Sequence, residues 1–290
     1  VIPSHTSACL RSFFGFAYPT MRRLPLLPCL FLSARLLAAD ELPPPELTEY
    51  YAPVPPVVAA PAGGVPSDAI ALFNGTSLDA WEPAMADDRM WRIEGGALVV
   101  VSGKTSPDEA ARVAASPGRR PDFKYGGIRT KQAFGDVQLH LEFRTPAKIE
   151  GKGQGRGNSG VFFMGLYEVQ VLDSHDNPTY VNGQAGSIYK QRPPLVNASR
   201  PAGEWQAYDI VFTAPRFAAD GSLASPARIT AFHNGVLVQH DTVLTGPTEY
   251  RGPPKYQAHA DRLPIMLQDH GNPVAFRNIW VRELNPPGPK

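Results

Sequence analysis

Residues 137–144, Val-Gln-Leu-His-Leu-Glu-Phe-Arg, alternate without a break: every odd position is apolar and every even one polar. A period of two predicts a strand with one face buried and the other turned outward. Residues 167–173, Tyr-Glu-Val-Gln-Val-Leu-Asp, alternate in the same way until Leu172. Weaker runs predict further strands over 97–101, 160–164, 208–213, 228–233, 236–240, 265–268 and 276–282. Asn234-Gly235 separates two of these runs and is a strong hairpin signal, because both residues tolerate positive φ. Residues 107–115 form one of the few windows that suit a helix. Many strands at short spacing with Gly/Pro turns predict an all-β, antiparallel sandwich or barrel.

Composition agrees with that reading. The chain has 31 prolines in 290 residues, about 11% against an average near 5%, which disfavours long helices. Hydrophobic residues make up 43%, enough for a sizeable core. With 28 Lys+Arg against 27 Asp+Glu, the chain carries no basic field for nucleic acid. Both cysteines, Cys9 and Cys29, lie near the N-terminus, so the rest offers no thiol nucleophile or Cys-based zinc site.

The pattern divides the chain into five parts. Residues 1–20 read as upstream of a start at Met21. Met21-Arg22-Arg23 and the apolar stretch that follows give residues 21–39 the character of a signal peptide, although Pro25, Pro28 and Arg35 interrupt it. Export to a periplasmic or extracellular location is therefore expected. Residues 40–66, with Pro43-Pro44-Pro45 and Val54-Pro55-Pro56, read as an extended linker. The folded domain is expected over 67–284, with a tail over 285–290. No later stretch is long and apolar enough to span a bilayer.

Several blocks in this domain occur in an ordered series. Leu72-Phe73-Asn74-Gly75 with Leu78 and Trp81 comes first, then Trp91-Arg92-Ile93-Glu94-Gly95-Gly96-Ala97-Leu98. Asn158-Ser159-Gly160-Val161-Phe162-Phe163 leads into the Tyr167–Asp173 strand, and this is the most specific block. Gly186-Ser187-Ile188-Tyr189, Gly203-Glu204-Trp205-Gln206, Leu267-Gln268-Asp269-His270-Gly271 and Phe276-Arg277-Asn278-Ile279-Trp280 complete it. Together they resemble the 3-keto-disaccharide hydrolase domain family over residues 68–284. The resemblance implies a concanavalin/laminarinase-like jelly roll of two antiparallel sheets, with sugar bound on a concave face. It also implies bacterial export and cleavage of glycosides oxidised at C3, by elimination or net hydrolysis.

The pleat then nominates residues. Val169 and Val171 belong to the core face, so Glu168 and Gln170 point the other way. Gln268 and His270 share one parity, opposite Leu267 and Asp269. His140, Glu142 and Arg144 form the outward set of their strand. If the family fold makes these strands neighbours, one face collects acids, amides, imidazoles and a guanidinium. Such a set suits a 3-keto sugar, whose carbonyl acidifies the C2 proton. The reaction needs one base, one acid and a group to hold the enolate oxygen.

Glu168 or His270 is the expected base or acid, with Asp173 holding His270 or another cation. Asp173 can instead cap the following turn. Gln170, Gln268 and Arg144 are expected to orient the sugar or polarise its carbonyl. Asn158, closing the Gly-rich loop over 148–158, together with Tyr189 and Lys190, completes the substrate-binding set. That loop lacks the Gly-Lys-Ser/Thr ending and following helix of a phosphate cradle. Trp205 reads as core, and Arg277 as the partner of a carboxylate. No cofactor is required; Asp173, His175 and Asp176 are compatible with a structural or catalytic divalent cation, but their spacing is too general to assign one.

The expected partner is a carbohydrate, a 3-keto glycoside or oligosaccharide, and not a nucleic acid. A noncatalytic, lectin-like carbohydrate-binding module is the alternative, since the fold serves both. A standard endoglucanase is disfavoured, because no strand carries the paired carboxylates of that chemistry.

Overall fold

The computed structural model describes residues 42–84, 91–101 and 126–284. The signal-like segment, the candidate helix over 107–115 and the tail over 285–290 lie outside these. The chain divides into two compact units, Val1–Pro55 and Pro56–Lys290. In the first, the described residues carry one 3-10 turn, Pro45–Thr48, and a cis Ala52-Pro53 bond. The second holds every described strand.

In chain order these are β1 (Ile70–Phe73), β2 (Trp81–Pro83), β3 (Trp91–Glu94), β4 (Ala97–Val100), β5 (Gly127–Phe134) and β6 (Val137–Arg144). Next come β7 (Ser159–Phe163), β8 (Tyr167–Val171), β9 (Gln206–Thr213), β10 (Arg216–Phe217) and β11 (Leu223–Ser225). The last are β12 (Arg228–His233), β13 (Val236–Val243), β14 (Leu263–Gln268) and β15 (Ala275–Glu283). One sheet runs β13-β12-β9-β6-β15-β4-β3, with β1 also on β15; a second runs β2-β5-β14-β7-β8. All pairings are antiparallel, and β10 with β11 forms a separate small ribbon.

The sheets pack face to face, as the predicted sandwich requires. Phe163 of the five-stranded sheet stacks on Phe212 of the larger one, ring centroids 4.7 Å apart. Burying each such side chain contributes about 1.5–3 kcal/mol. The Tyr208 hydroxyl crosses the layer to donate to the Gln170 carbonyl at 2.7 Å, fixing β8 against β9. Chain order moves repeatedly between the layers, giving the jelly-roll architecture expected from sequence.

The strand over 137–144 has its predicted bounds, and its odd residues are all buried. Asn234 and Gly235 join β12 to β13 with φ of 52° and 78°, the two positive values of a tight hairpin. Three features differ from the sequence reading. Strand β5 was not among the predicted runs. The linker expected over 40–66 is shorter, because Ser67 donates its N–H to the Ala59 carbonyl and Asn278 reaches the Gly63 carbonyl. Most consequential for the site, β6 and β8 lie in different sheets.

Candidate functional site

The five-stranded sheet carries the candidate site on its outer face. Register aligns Gly127, Gln268, Gly160 and Gln170 in one row across β5, β14, β7 and β8. The adjacent row holds Arg129, Met266, Phe162 and Glu168. Beyond β8, Ile188 bridges to Val169, which sets Tyr189 beside Glu168 on the same face. The Asp269 N–H donates to the Gly126 carbonyl at 2.8 Å, carrying the ladder one residue past β14. His270 follows directly, half-buried, just past the end of β14.

The glycine row lets the acid lean inward. A Cβ placed on Gly160 would lie 2.5 Å from Glu168 Oε1, so the carboxylate arm reaches diagonally across the glycine. Glu168 is 4% exposed, and no described residue donates a hydrogen bond to its carboxyl. Burial alone pushes its pKa from 4.5 to about 8, which makes it a neutral acid at neutral pH. His270 is shifted the other way: burial holds its pKa below 6.5 and keeps the imidazole uncharged. Asp269, inward and buried, is raised by burial while accepting the Gly271 N–H at 2.7 Å.

A second layer covers this face. Gln170 is 1% exposed, and its amide nitrogen donates to Gln154 Oε1 and Asn158 Oδ1. Asn158 in turn donates to the Gln154 carbonyl at 2.6 Å. The expectation that Gln170 and Asn158 face an open trough is therefore corrected: they tie down the loop that carries Gln154. The segment with Tyr180, Tyr189 and Lys190 lies over Glu168. The two phenols meet at 2.7 Å, and Lys190, at φ 57°, points Nζ to the Tyr250 carbonyl at 2.6 Å.

Asp173 leaves the catalytic set. Its carboxyl is 2% exposed and locked to Arg156 Nε at 2.6 Å, while Arg156 also holds the His175 and Asp176 carbonyls. The cation it holds is an arginine from the Gly-rich loop and not His270. This pair lines a cavity of about 250 Å³ with Lys148, Glu150 and Asn272 at one end of the sandwich; Glu168 is not in its wall. His175 Nδ1 is 3.4 Å from Asp176, and no group of three metal-ligating side chains occurs among the described residues.

Arg144 is corrected too. With His140 and Glu142 it projects from the outer face of the other sheet. There Arg144 and Arg277 lie over the half-buried Trp205 ring, at 4.7 and 4.1 Å. Arg277 pairs with Glu142 at 2.7 Å, the carboxylate partnership expected of it, and His140 Nδ1 meets Asp209 at 2.6 Å. Tyr180 and Tyr250 were missed by sequence reasoning, since neither lies in an alternating run.

The sequence profile of the 3-keto-alpha-glucoside-1,2-lyase-like domain matches residues 68–282. The chain belongs to that family. This 3-keto-alpha-glucoside-1,2-lyase-like domain resembles the crystal structure of a candidate glycosyl hydrolase from Parabacteroides distasonis ATCC 8503. Identity is 45%, over 83% of this chain and 97% of that one, with a TM-score of 0.71. Two further candidate glycosyl hydrolases from that organism are 17% and 21% identical, over 74% of this chain and 93% and 99% of theirs, each with a TM-score of 0.49. A comparison with curated proteins found no match. The domain is a hydrolase-like, carbohydrate-active β-sandwich, and none of its described helices is long and apolar enough to cross a membrane.

Proposed function

We infer that this domain cleaves the glycosidic bond of 3-keto glycosides by removing the C2 proton and eliminating the C1 substituent. The observation that carries this reading is Glu168, a carboxyl 4% exposed to which no described residue donates a hydrogen bond, with a pKa raised to about 8. A carboxyl desolvated enough to keep its proton at neutral pH is suited to acid chemistry. Paired with an uncharged His270, it provides an acid and a base set apart by their surroundings.

In this scheme His270 takes the C2 proton, and the electron pair moves onto the C3 oxygen as an enolate. As the C3 carbonyl re-forms, a C1=C2 double bond forms and the C1–O bond breaks. Glu168 gives its proton to the departing oxygen. Addition of water across C1=C2 then makes the outcome a net hydrolysis. Continued register supports the pairing: His270 is one strand across and two residues along from Gly160, about 8 Å by strand spacing. The signal-like residues 21–39 support export as part of the same proposal.

The test incubates the chain with a 3-keto glucoside and with its unoxidised parent in deuterated buffer. Release of the aglycone from the keto form alone is expected. Glu168→Gln should stop release while C2 still exchanges deuterium, and His270→Ala should stop both. Release from the parent glucoside, or binding of the keto form without release, overturns the reading.

A further inference from the structure

Between the buried acid and solvent lies a cluster that the scheme above does not use. Lys190 Nζ stands 4.1 Å from the Tyr250 ring centroid, 5.7 Å from that of Tyr189 and 5.8 Å from that of Tyr180. Tyr180 and Tyr189 meet edge to face, centroids 6.2 Å apart. Exposure increases outward, from Glu168 at 4% to Tyr180 at 40% and Tyr250 at 61%. Burial first, then Tyr250 and Glu168 through space, raises the Tyr180 pKa, so the four groups lie within electrostatic reach of one another. Tyr180 and Tyr189 are neutral donors at working pH.

We propose that Tyr180, Tyr189, Tyr250 and Lys190 form a collar that binds the leaving group, and that it selects glycosides of phenols. The proposal rests on the reading of Glu168 as the acid at the scissile bond. The Tyr250 ring is exposed and carries Lys190 near it, and a flat aromatic leaving group offers it a stacking partner. The cation also matches the chemistry. A phenol departs with negative charge growing on its oxygen, and in this collar Lys190 supplies the cation that meets it as Glu168 transfers its proton. An alkyl leaving group offers neither the flat face nor a stable oxyanion, and gains little from the collar.

The experiment compares 3-keto 4-nitrophenyl glucoside with 3-keto methyl glucoside, using the wild-type chain, Tyr250→Ala and Tyr180→Phe. Tyr250→Ala should lower kcat/KM for the aryl substrate about tenfold, the value of one aromatic contact near 1.4 kcal/mol. For the methyl substrate it should stay within about twofold. Tyr180→Phe keeps the ring and should preserve the aryl preference. Calorimetric titration of the unoxidised aryl and methyl glucosides tests the collar without turnover: wild type should bind the aryl form more tightly, and Tyr250→Ala should erase the difference. Equal losses on both keto substrates, or an unchanged binding preference in Tyr250→Ala, overturns the collar. Absence of turnover with both keto substrates refutes the elimination scheme instead, and the titration still decides the collar.

Discussion

Replacing Glu168 with Gln should make the protein more stable and less active at once, and the stability gain should depend on pH. In the folded chain the carboxyl keeps its proton up to about pH 8, whereas the unfolded chain releases it near 4.5. Between those values the native state binds one more proton, so wild-type stability falls as pH rises. The difference between the two pKa values, at about 1.36 kcal/mol per pH unit, amounts to about 5 kcal/mol above pH 8 and about 3 kcal/mol at pH 7. Below 4.5 both states are protonated and this contribution is fully present. Gln is close to the neutral acid in shape and carries no charge to bury, so the variant lacks this slope. Urea unfolding of both proteins from pH 4 to 9 measures it. Other titrating groups, including His270 and Asp269, are common to both proteins and largely cancel in the difference. The gap between variant and wild type should widen by several kcal/mol in favour of the variant, most of it between pH 5 and 8. A gap that moves by less than about 1 kcal/mol across the series would falsify the account of Glu168 as a desolvated acid.

Three further outcomes follow from the geometry. Activity should fall above about pH 8 as Glu168 loses its proton, and on the acid side below 6.5 as His270 gains one; a kcat/KM profile reads both limbs. Asp173→Ala leaves Arg156 nearly buried without its partner and should cost about 3–5 kcal/mol in urea unfolding. Arg144→Ala, on the opposite sheet, should leave kcat/KM for a 3-keto glucoside within about twofold; a loss of tenfold or more would place the site on that face instead.

Alternation revealed which way each side chain points because the strand period is two and burial enforces it. It located Glu168 and Gln170 on the face opposite Val169 and Val171, and Asn234-Gly235 marked its hairpin without help from the rest of the chain. Strand partnership is a different kind of information. The neighbours of β6 are β9 and β15, and those of β8 include no strand adjacent to β6. These choices are settled by packing between residues far apart in sequence, such as Phe163 on Phe212, and no local pattern records them. Arg144 was misassigned for that reason. Strand β5 escaped notice because a polar residue, Thr130, takes one of its buried positions. Thr130 is buried, and its hydroxyl donates to the Gln132 carbonyl and accepts the Ile265 N–H, repairing the ladder where register shifts. Asp173 illustrates the same limit: its partner, Arg156, lies in a Gly-rich loop with no alternating pattern to place it.

The chemistry of Glu168 depends on two layers of information, of which the sequence pattern contains one. Parity says that the acid leaves the core, and an acid facing water would keep an ordinary pKa. The covering segment with Tyr180, Tyr189 and Lys190 removes that water, and the missing Cβ of Gly160 makes room for the carboxyl underneath. Desolvation then raises the proton affinity without any charged partner, so the proton is held by surroundings that a single ligand entry or loop movement can change. A carboxyl stabilised by a fixed ion pair, as Asp173 is by Arg156, would remain charged through such a movement. This difference explains why the covered acid is suited to giving up a proton during a reaction, while the paired one is suited to holding a loop in place.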